Sequence, residues 1–538
     1  MEVKMEKSKK HIKAFLSFDE EYKEFELLES EHGVPESDGG WRDLPNNSHR
    51  RQKHEGEEEV PKRVDDVYNR LSEQFNTDIN KDVILRRFRT GSGHNMLVAY
   101  MNGMADDKKI NEFVLKPLML YEGKRNAPDE LKNDVIEISE ADEEKDFYKA
   151  RMAMMDGIAV LFSDGCKSCL LLETHGYEKR SVEKCENENV VMGPKESFNE
   201  SFRTNITLIR RIIHTDDLIV ESRMSGGENN TRLAIIYRKG MTNEALLNEV
   251  RKRLSGISID VPITSGVIEQ LVEDRGLIPV PRTLSTERPD RACSHIMQGS
   301  VCLIIEGSPF AVIMPITLFS LMNSPEDVYL RPPLGTILRI VRYIGAAISV
   351  LMPGYFLALA LYHQGMLTTE VLSTVIASRK MVFEPIAIEM ILLLLIFQMI
   401  REAGLRVPGS IGQAIGIIGG LIMGQAAVTA HLASSVILII VAASGLGNFC
   451  IPDYSTQVSA SYIRMAVVIA AWLGGLLAIT AVILFITASL SSTKSFGVPF
   501  LAPFAPKTYS KRPFVIRGRI GLHKRAEDYM NTADDRML

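Results

Sequence analysis

Residues 334–490 carry only 12 charged side chains in 157 positions, against 24% charged residues in the whole chain. A stretch this poor in charge cannot stay in water throughout. About 20 predominantly apolar residues suffice for one helix to cross bilayer hydrocarbon, and there is room here for several. The remainder is correspondingly polar, so neither a wholly soluble nor a wholly disordered chain fits. The expected fold class is an α+β/α/β soluble N-terminal region of two subdomains, followed by an all-α polytopic membrane domain. The net charge of −5, from 62 Lys and Arg against 67 Asp and Glu, shows no basic excess. That argues against a nucleic-acid partner.

Four segments of the apolar stretch have no charge at all: 343–362, 411–430, 432–451 and 465–490. A fifth, 381–400, holds Glu384 and Glu389. A carboxylate at a bilayer centre costs roughly 3 kcal/mol on insertion scales. This fifth segment is therefore either an interfacial helix or a span whose acids face a protein interior or water. Charge bias leaves four and five spans both open. The tail after 490 has nine Lys and Arg and four Asp and Glu, which favours an inside C-terminus and an even number of spans. An even number, however, places Arg379, Lys380, Arg401 and Arg406 outside.

Within 411–430, Gly412, Gly416, Gly420 and Gly424 recur at every fourth residue. Such a stripe lets a second backbone approach closely. Gln413 and Gln425, about 18 Å apart along a helix, need partners or water in hydrocarbon. Tight packing and a water-lined path are both compatible with this pattern. Arg339 and Arg342 read as anchors to lipid phosphates, and Pro353-Gly354 as a kink. Asp453 and Arg464, flanking the last loop, form a candidate ion pair.

Ahead of this domain, residues 1–62 are polar and read as a disordered charged arm. A small α+β unit follows over 63–142. It has a helix from Val64, strands at 83–88 and 95–100, and a helix at 110–118 broken by Pro117. A second, α/β unit covers 143–333, and residues 491–538 form a basic C-terminal tail. The second unit contains strands at 158–162, 169–173, 233–238 and 257–261. It also has helices at 202–213 and 244–254, the latter capped by Asn243. A further helix runs from Ser265 to Gly276. On the 202–213 helix, Arg203, Arg210 and Arg211 are candidates for an anion-binding or partner surface. Residues 155–172 align without gaps on 297–314: Met155, Gly157 and Gly165 fall on Met297, Gly299 and Gly307. This predicts two related β-hairpins in one sheet system.

Nothing in the chain suggests catalysis. Cys166 and Cys169 form a lone C-x-x-C without a second ligand pair, so no zinc site is expected. The 11 histidines are scattered, and no nucleophile–base set or phosphate loop is present. The expectation is a non-enzyme without cofactor or metal. Thr204-Asn205 and Glu287-Arg288-Pro289-Asp290 read as loop or cap residues. The N-terminus shows no apolar signal core, which places the soluble front on the cytoplasmic side.

Long stretches resemble the A subunit of bacterial spore germinant receptors. They are ILRRFRTGSG, FVLKPL, MGPKESFNESFRTNITLIRR, ERPD, EGSPFAVIMP, SPEDVYLRP, IREAGLRVPGSIGQAIGIIGGLIMGQAAV and SFGVPFLAP, spread over roughly 80–506. The resemblance implies a protein of the spore inner membrane acting with a permease-like B subunit and a lipoprotein C subunit. It implies a role in turning nutrient sensing into ion release, as a homo-oligomeric channel subunit in contact with membrane lipids. A transporter, or a signal-relay scaffold without a conduction path, is the alternative.

Overall fold

The computed structural model describes residues 58–507, except 124–125, 177–184, 186, 227–229, 258–263, 275 and 407–423, together with 516 and 528–532. The first lobe opens with α1 (Val64–Phe75), which buries Val64, Val67, Leu71 and Phe75 along one helical face. Then come β1 (Val83–Arg89), β2 (Asn95–Met101), β3 (Ala141–Glu144), α2 (Phe147–Met155), β4 (Ala159–Ser163) and β5 (Cys169–Leu172). The sheet is antiparallel in the order β1-β2-β4-β5-β3. Both faces are covered, and the alternation of β2 divides them. Leu97, Ala99 and Met101 meet α1 and α2, while Met96, Val98 and Tyr100 meet Ile110, Val114, Leu118 and Leu131.

The second lobe repeats this plan. It runs α3 (Phe202–Arg210), β6 (Leu218–Ser225), β7 (Thr231–Arg238), α4 (Glu244–Ser255), α5 (Ser265–Val272), β8 (Leu284–Thr286), α6 (Pro289–Ile296), β9 (Val301–Ile305) and β10 (Ala311–Met314). Its order, β6-β7-β9-β10-β8, matches the first sheet strand for strand. The hairpin repeat in the sequence is therefore one part of a duplicated lobe. Its shared glycines have a backbone reason: φ is +92° at Gly157 and +94° at Gly299, and +85° at Gly165 and +77° at Gly307. Only glycine occupies that region without strain.

Four expectations are corrected here. The hairpins lie at equivalent places in two sheets, not in one sheet system. A boundary at 142/143 would split β3 itself and part β1 and β2 from β4 and β5, although β2, β4 and β5 are the inner strands of one sheet. Residues 58–62 are also docked rather than loose: Phe147 N donates to Glu58 O at 2.7 Å, and Val60 is buried. The arm before them lies outside the described residues, as does most of the expected strand at 257–261. Pro117 does not break its helix, since helical backbone continues from Asp107 to Leu120 through a π-turn.

The remainder is helical: α7 (Pro332–Tyr362), α8 (Ile386–Arg406), α9 (Ser435–Phe449) and α10 (Tyr454–Ser492). Among the described residues, α7 and α10 are long and apolar enough to cross a membrane, with mean hydropathies of 2.0 and 2.6. The last expected span, however, is not one straight helix. Gly474 and Gly475 leave helical geometry, Gly475 at φ +59° and ψ −143°. Tyr362, at the far end of α7, donates its hydroxyl to Trp472 O at 2.6 Å. Soon after α10, Phe500 O accepts from Leu318 N at 2.9 Å, back at the second lobe. The chain must therefore reverse at the glycine pair, making α10 a helical hairpin with both ends at the lobe. An alanine at Gly475 would occupy a backbone region that only glycine tolerates and would put its Cβ 3.0 Å from the Tyr362 ring. Gly475→Ala is expected to cost about 1–3 kcal/mol, read as a lower midpoint of thermal unfolding in detergent.

Candidate functional site

Residues 80–82 stitch the lobes together. Asn80 forms a β-bridge with Glu221, and its Oδ1 accepts from Val220 N at 3.1 Å. Arg210, 3% exposed, grips Asp82 through Nε at 2.7 Å and Nη2 at 3.1 Å, and donates to Leu218 O at 2.8 Å. On the far edge of β6, burial works against the Glu221 charge. Hydrogen bonds from Arg251 and Arg223 outweigh it and hold the carboxyl below its ordinary value.

Beside this seam opens a cleft of 390 Å³. Lys81 and Asp82 line it from the first lobe, and Glu200, Arg203, Arg232 and Glu306 from the second. The expected arginine surface is thus split three ways. Arg203 lines the cleft with Asp107 3.7 Å away. Arg211 is exposed and pairs with Glu196 at 3.3 Å. Arg210 is a buried lobe-to-lobe strut and belongs to no surface, because Asp82, 128 positions earlier, supplies the carboxylate that lets it be buried.

The second lobe is joined to both ends of the helical unit. At the entry, Asp327 is fully buried and accepts from Arg339 Nε at 3.0 Å and from both Nη atoms of Arg342, Nη1 at 2.8 Å. The expected lipid-phosphate anchors are therefore ligands of a protein carboxylate. Two residues on, the Tyr329 hydroxyl donates to Asp290 Oδ2 at 2.6 Å, and Asp290 also holds Arg288 at 2.8 Å. Glu287 Oε1 takes the backbone amides of Asn187 and Glu188, each at 2.6 Å. The Glu-Arg-Pro-Asp run is thus the hub tying the loop before α3 to the start of α7.

At the exit, β11 (Lys494–Ser495) and β12 (Val498–Pro499) form a hairpin on the second lobe. Phe496 enters the core among Leu246, Leu247 and Val312 and lies 4.3 Å beneath the Arg253 guanidinium. Its amide donates to Asp274 Oδ2 at 2.8 Å. Further on, Asn531 O accepts from Asn243 Nδ2 at 2.8 Å. The basic tail is docked at 494–500 and again at Asn531.

Glu269 of α5 lies in this joint. Burial, with Glu273 and Asp453 nearby, pushes its carboxyl up to about 7 against the Ser285 hydrogen bond. The folded value exceeds the ordinary 4.5, so its contribution is full below pH ~4.5 and is lost as pH rises through ~7. The loss is up to about 3 kcal/mol. Glu269→Gln is expected to flatten unfolding free energy against pH between those limits. An unchanged slope would remove Glu269 from the account.

Inside the helical unit, Glu389 is 1% exposed; its Oε1 caps Ser434 N at 2.5 Å and its Oε2 faces Arg379 at 3.3 Å. Glu389 therefore faces protein. Glu384 precedes α8 and is exposed. Gly412, Gln413, Gly416 and Gly420 lie outside the described residues. Gly424 faces Leu438, with room for a Cβ at 3.5 Å, and Gln425 is exposed. The close approaches among the described residues fall on glycines outside the expected stripe, one of them Gly354 of the expected kink. Gly447 abuts the Gly345 backbone, and a Cβ at Gly354 would lie 2.7 Å from Val467 Cγ1. Asp453 does not pair with Arg464: it caps α10 through Thr456 N at 2.7 Å. Among the described residues, no group of His, Cys, Asp and Glu is placed to hold a metal.

A duplicated, cleft-bearing front clasped to both ends of an apolar helical unit defines a class: a two-lobed α/β front on a helical base. The family model "Bacillus/Clostridium GerA spore germination protein" matches residues 69–528, and the chain belongs to that family. It is 34% identical over 431 residues to spore germination protein KA of Bacillus subtilis (strain 168), covering 79% of each chain. It is 32% identical to spore germination protein GerLA of Bacillus cereus, covering 82% of this chain and 91% of that one. A crystal structure of the N-terminal domain of the A subunit of the Bacillus megaterium spore germinant receptor GerK3 aligns at 25% identity and a TM-score of 0.36. It covers 48% of this chain and 96% of that one.

Proposed function

We propose that the chain is the A subunit of a nutrient germinant receptor in the spore inner membrane. It converts germinant sensing into ion release as one subunit of an oligomeric ligand-gated channel, alongside a permease-like B subunit and a lipoprotein C subunit. The observation that carries this reading is the double joint. Asp327 ties the second lobe to α7, and Phe496 ties it to α10. Any change between the lobes is thereby handed to helices packed glycine to backbone, an arrangement that shifts between discrete states rather than continuously.

The cleft lining, three cations against three carboxylates in 390 Å³, suits a small zwitterionic or polyhydroxylated nutrient. Outward apolar side chains on α10, Leu473 at 76% and Leu477 at 80% exposed, suit lipid or neighbouring subunits. The reversal at Gly475 returns the C-terminus to the side of the lobes, which this reading places on the spore-core side.

Spores carrying Gly416→Leu in the complete receptor test the proposal. Loss or slowing of nutrient-triggered potassium release, with receptor abundance unchanged, is expected. Normal release would favour a transporter or relay scaffold whose conduction path lies in another subunit.

A further inference from the structure

Arg464, midway along the first arm of α10, is only 2% exposed. Its Nη1 donates to Ser444 Oγ at 3.1 Å, and the charged group acting on it is a second cation, Arg401 of α8. With the Asn448 amide turned so that its oxygen faces Arg401, that oxygen accepts from Arg401 Nη1 at 2.6 Å. Ser444 and Asn448 are one turn apart on α9, so both guanidiniums converge on one short stretch of that helix.

Among the described residues, no carboxylate completes the pair. Residues 334–490 contain five acids: Glu370, Glu384, Glu389, Glu402 and Asp453. Glu389 serves Arg379 and Ser434, and Asp453 caps Thr456. Glu384 is exposed on the approach to α8, and Glu370 begins the helix Thr369–Arg379 at the far end of α7. Glu402 is exposed and follows Arg401, so it leaves the helix about 100° away. Residues 407–423 contain no Asp or Glu. Among the described residues, two neighbouring cations, one of them buried, stand without an anion, an arrangement that is costly unless an anion completes it.

We infer that Arg401 and Arg464 form a binding site for a phosphate group, with Ser444 and Asn448 at its edge. Two guanidinium forks offer ten N–H donors, of which the protein engages few, and phosphate oxygens accept such forks in pairs. Depth points to a membrane source. Arg401 is five residues from the end of α8 and Asn448 one from the end of α9, at the end facing the second lobe. That is within about 8 Å of the helix ends, where headgroups lie. Arg401 is half-buried, and Met399 on the same turn-and-a-half of α8, with Leu446 and Phe449 flanking Asn448 on α9, are exposed, an apolar surround suited to acyl chains.

The test uses the full chain, purified and delipidated in detergent. Its thermal unfolding is followed with phosphatidylglycerol, with inorganic phosphate, and with diacylglycerol as a phosphate-free lipid. A rise of roughly 5 °C in wild type at saturation is expected, absent with diacylglycerol and lost in Arg464→Met and Arg401→Met. A rise with phosphatidylglycerol alone assigns a lipid phosphate; a rise with inorganic phosphate as well assigns a site open to free phosphate. If Arg464→Met does not fold, the half-buried Arg401→Met carries the comparison. No rise from either phosphate source in wild type, or equal rises in the variants, overturns the site and leaves the arginines to a carboxylate of another chain.

Discussion

Asp327→Ala is expected to unfasten the lobes from the helices while each lobe keeps its own core. The substitution removes the carboxylate shared by Arg339 and Arg342 and leaves two largely buried guanidiniums unanswered. Breaking a buried pair by deleting one partner costs about 3–5 kcal/mol, much of it from the charge left behind. The midpoint of thermal unfolding should therefore fall, and protease should gain access to 323–332. The double variant Asp327→Ala with Arg342→Ala should lose less than the sum of the two single variants, because the single changes strand charges that the double removes. Additive losses would mean that the three groups do not act as one joint.

Arg210→Met is expected to have an effect of similar size at the other seam. Asp82 would be left buried with its main cation gone, and Asn80 would lose its 3.4 Å contact with the guanidinium. The cost is again about 3–5 kcal/mol. Hydrogen exchange locates it: amides at 80–82 and 218–221 should exchange far faster than those of β4 and β9, which lie inside their sheets. Uniform acceleration across both lobes would show that the seam is not an independent unit. Restoring charge with Arg210→Lys should recover part of the loss, since an ammonium cannot reproduce the forked contact.

The contrast between what the sequence reveals and what it conceals follows from neighbours. β2, β4, β7 and β9 are covered on both faces, and the strong apolar character of their segments predicts them directly. β3, β6 and β8 are edge strands, as the sheet orders show. Their sequences, Ala-Asp-Glu-Glu, Leu-Ile-Val-Glu-Ser-Arg-Met-Ser and Leu-Ser-Thr, carry the polar residues that edges tolerate and that blur the strand signal. The second lobe was legible from its repeat only as far as the hairpin. The remaining correspondence is one of topology, with few residues in common.

Buried charge was the least legible feature. Helical spacing groups Arg203, Arg210 and Arg211, but only the folded position of Asp82 makes one of them structural. Arg339 and Arg342 have the spacing of lipid anchors until Asp327 is placed beside them. The glycine pair at 474–475 lies inside an unbroken apolar run, and hydropathy has no means of registering a reversal of the chain. The family resemblance, by contrast, rests on long shared segments, and the match over 69–528 agrees with it.

The most direct measurement is the current across planar bilayers holding the complete receptor, with its A, B and C subunits, before and after nutrient is added. The account predicts nutrient-evoked currents whose unitary conductance or open time changes when Gly416 or Gln413 of this chain is substituted. Currents unaffected by these substitutions, or no current from a correctly inserted receptor, would contradict a conduction path in this chain.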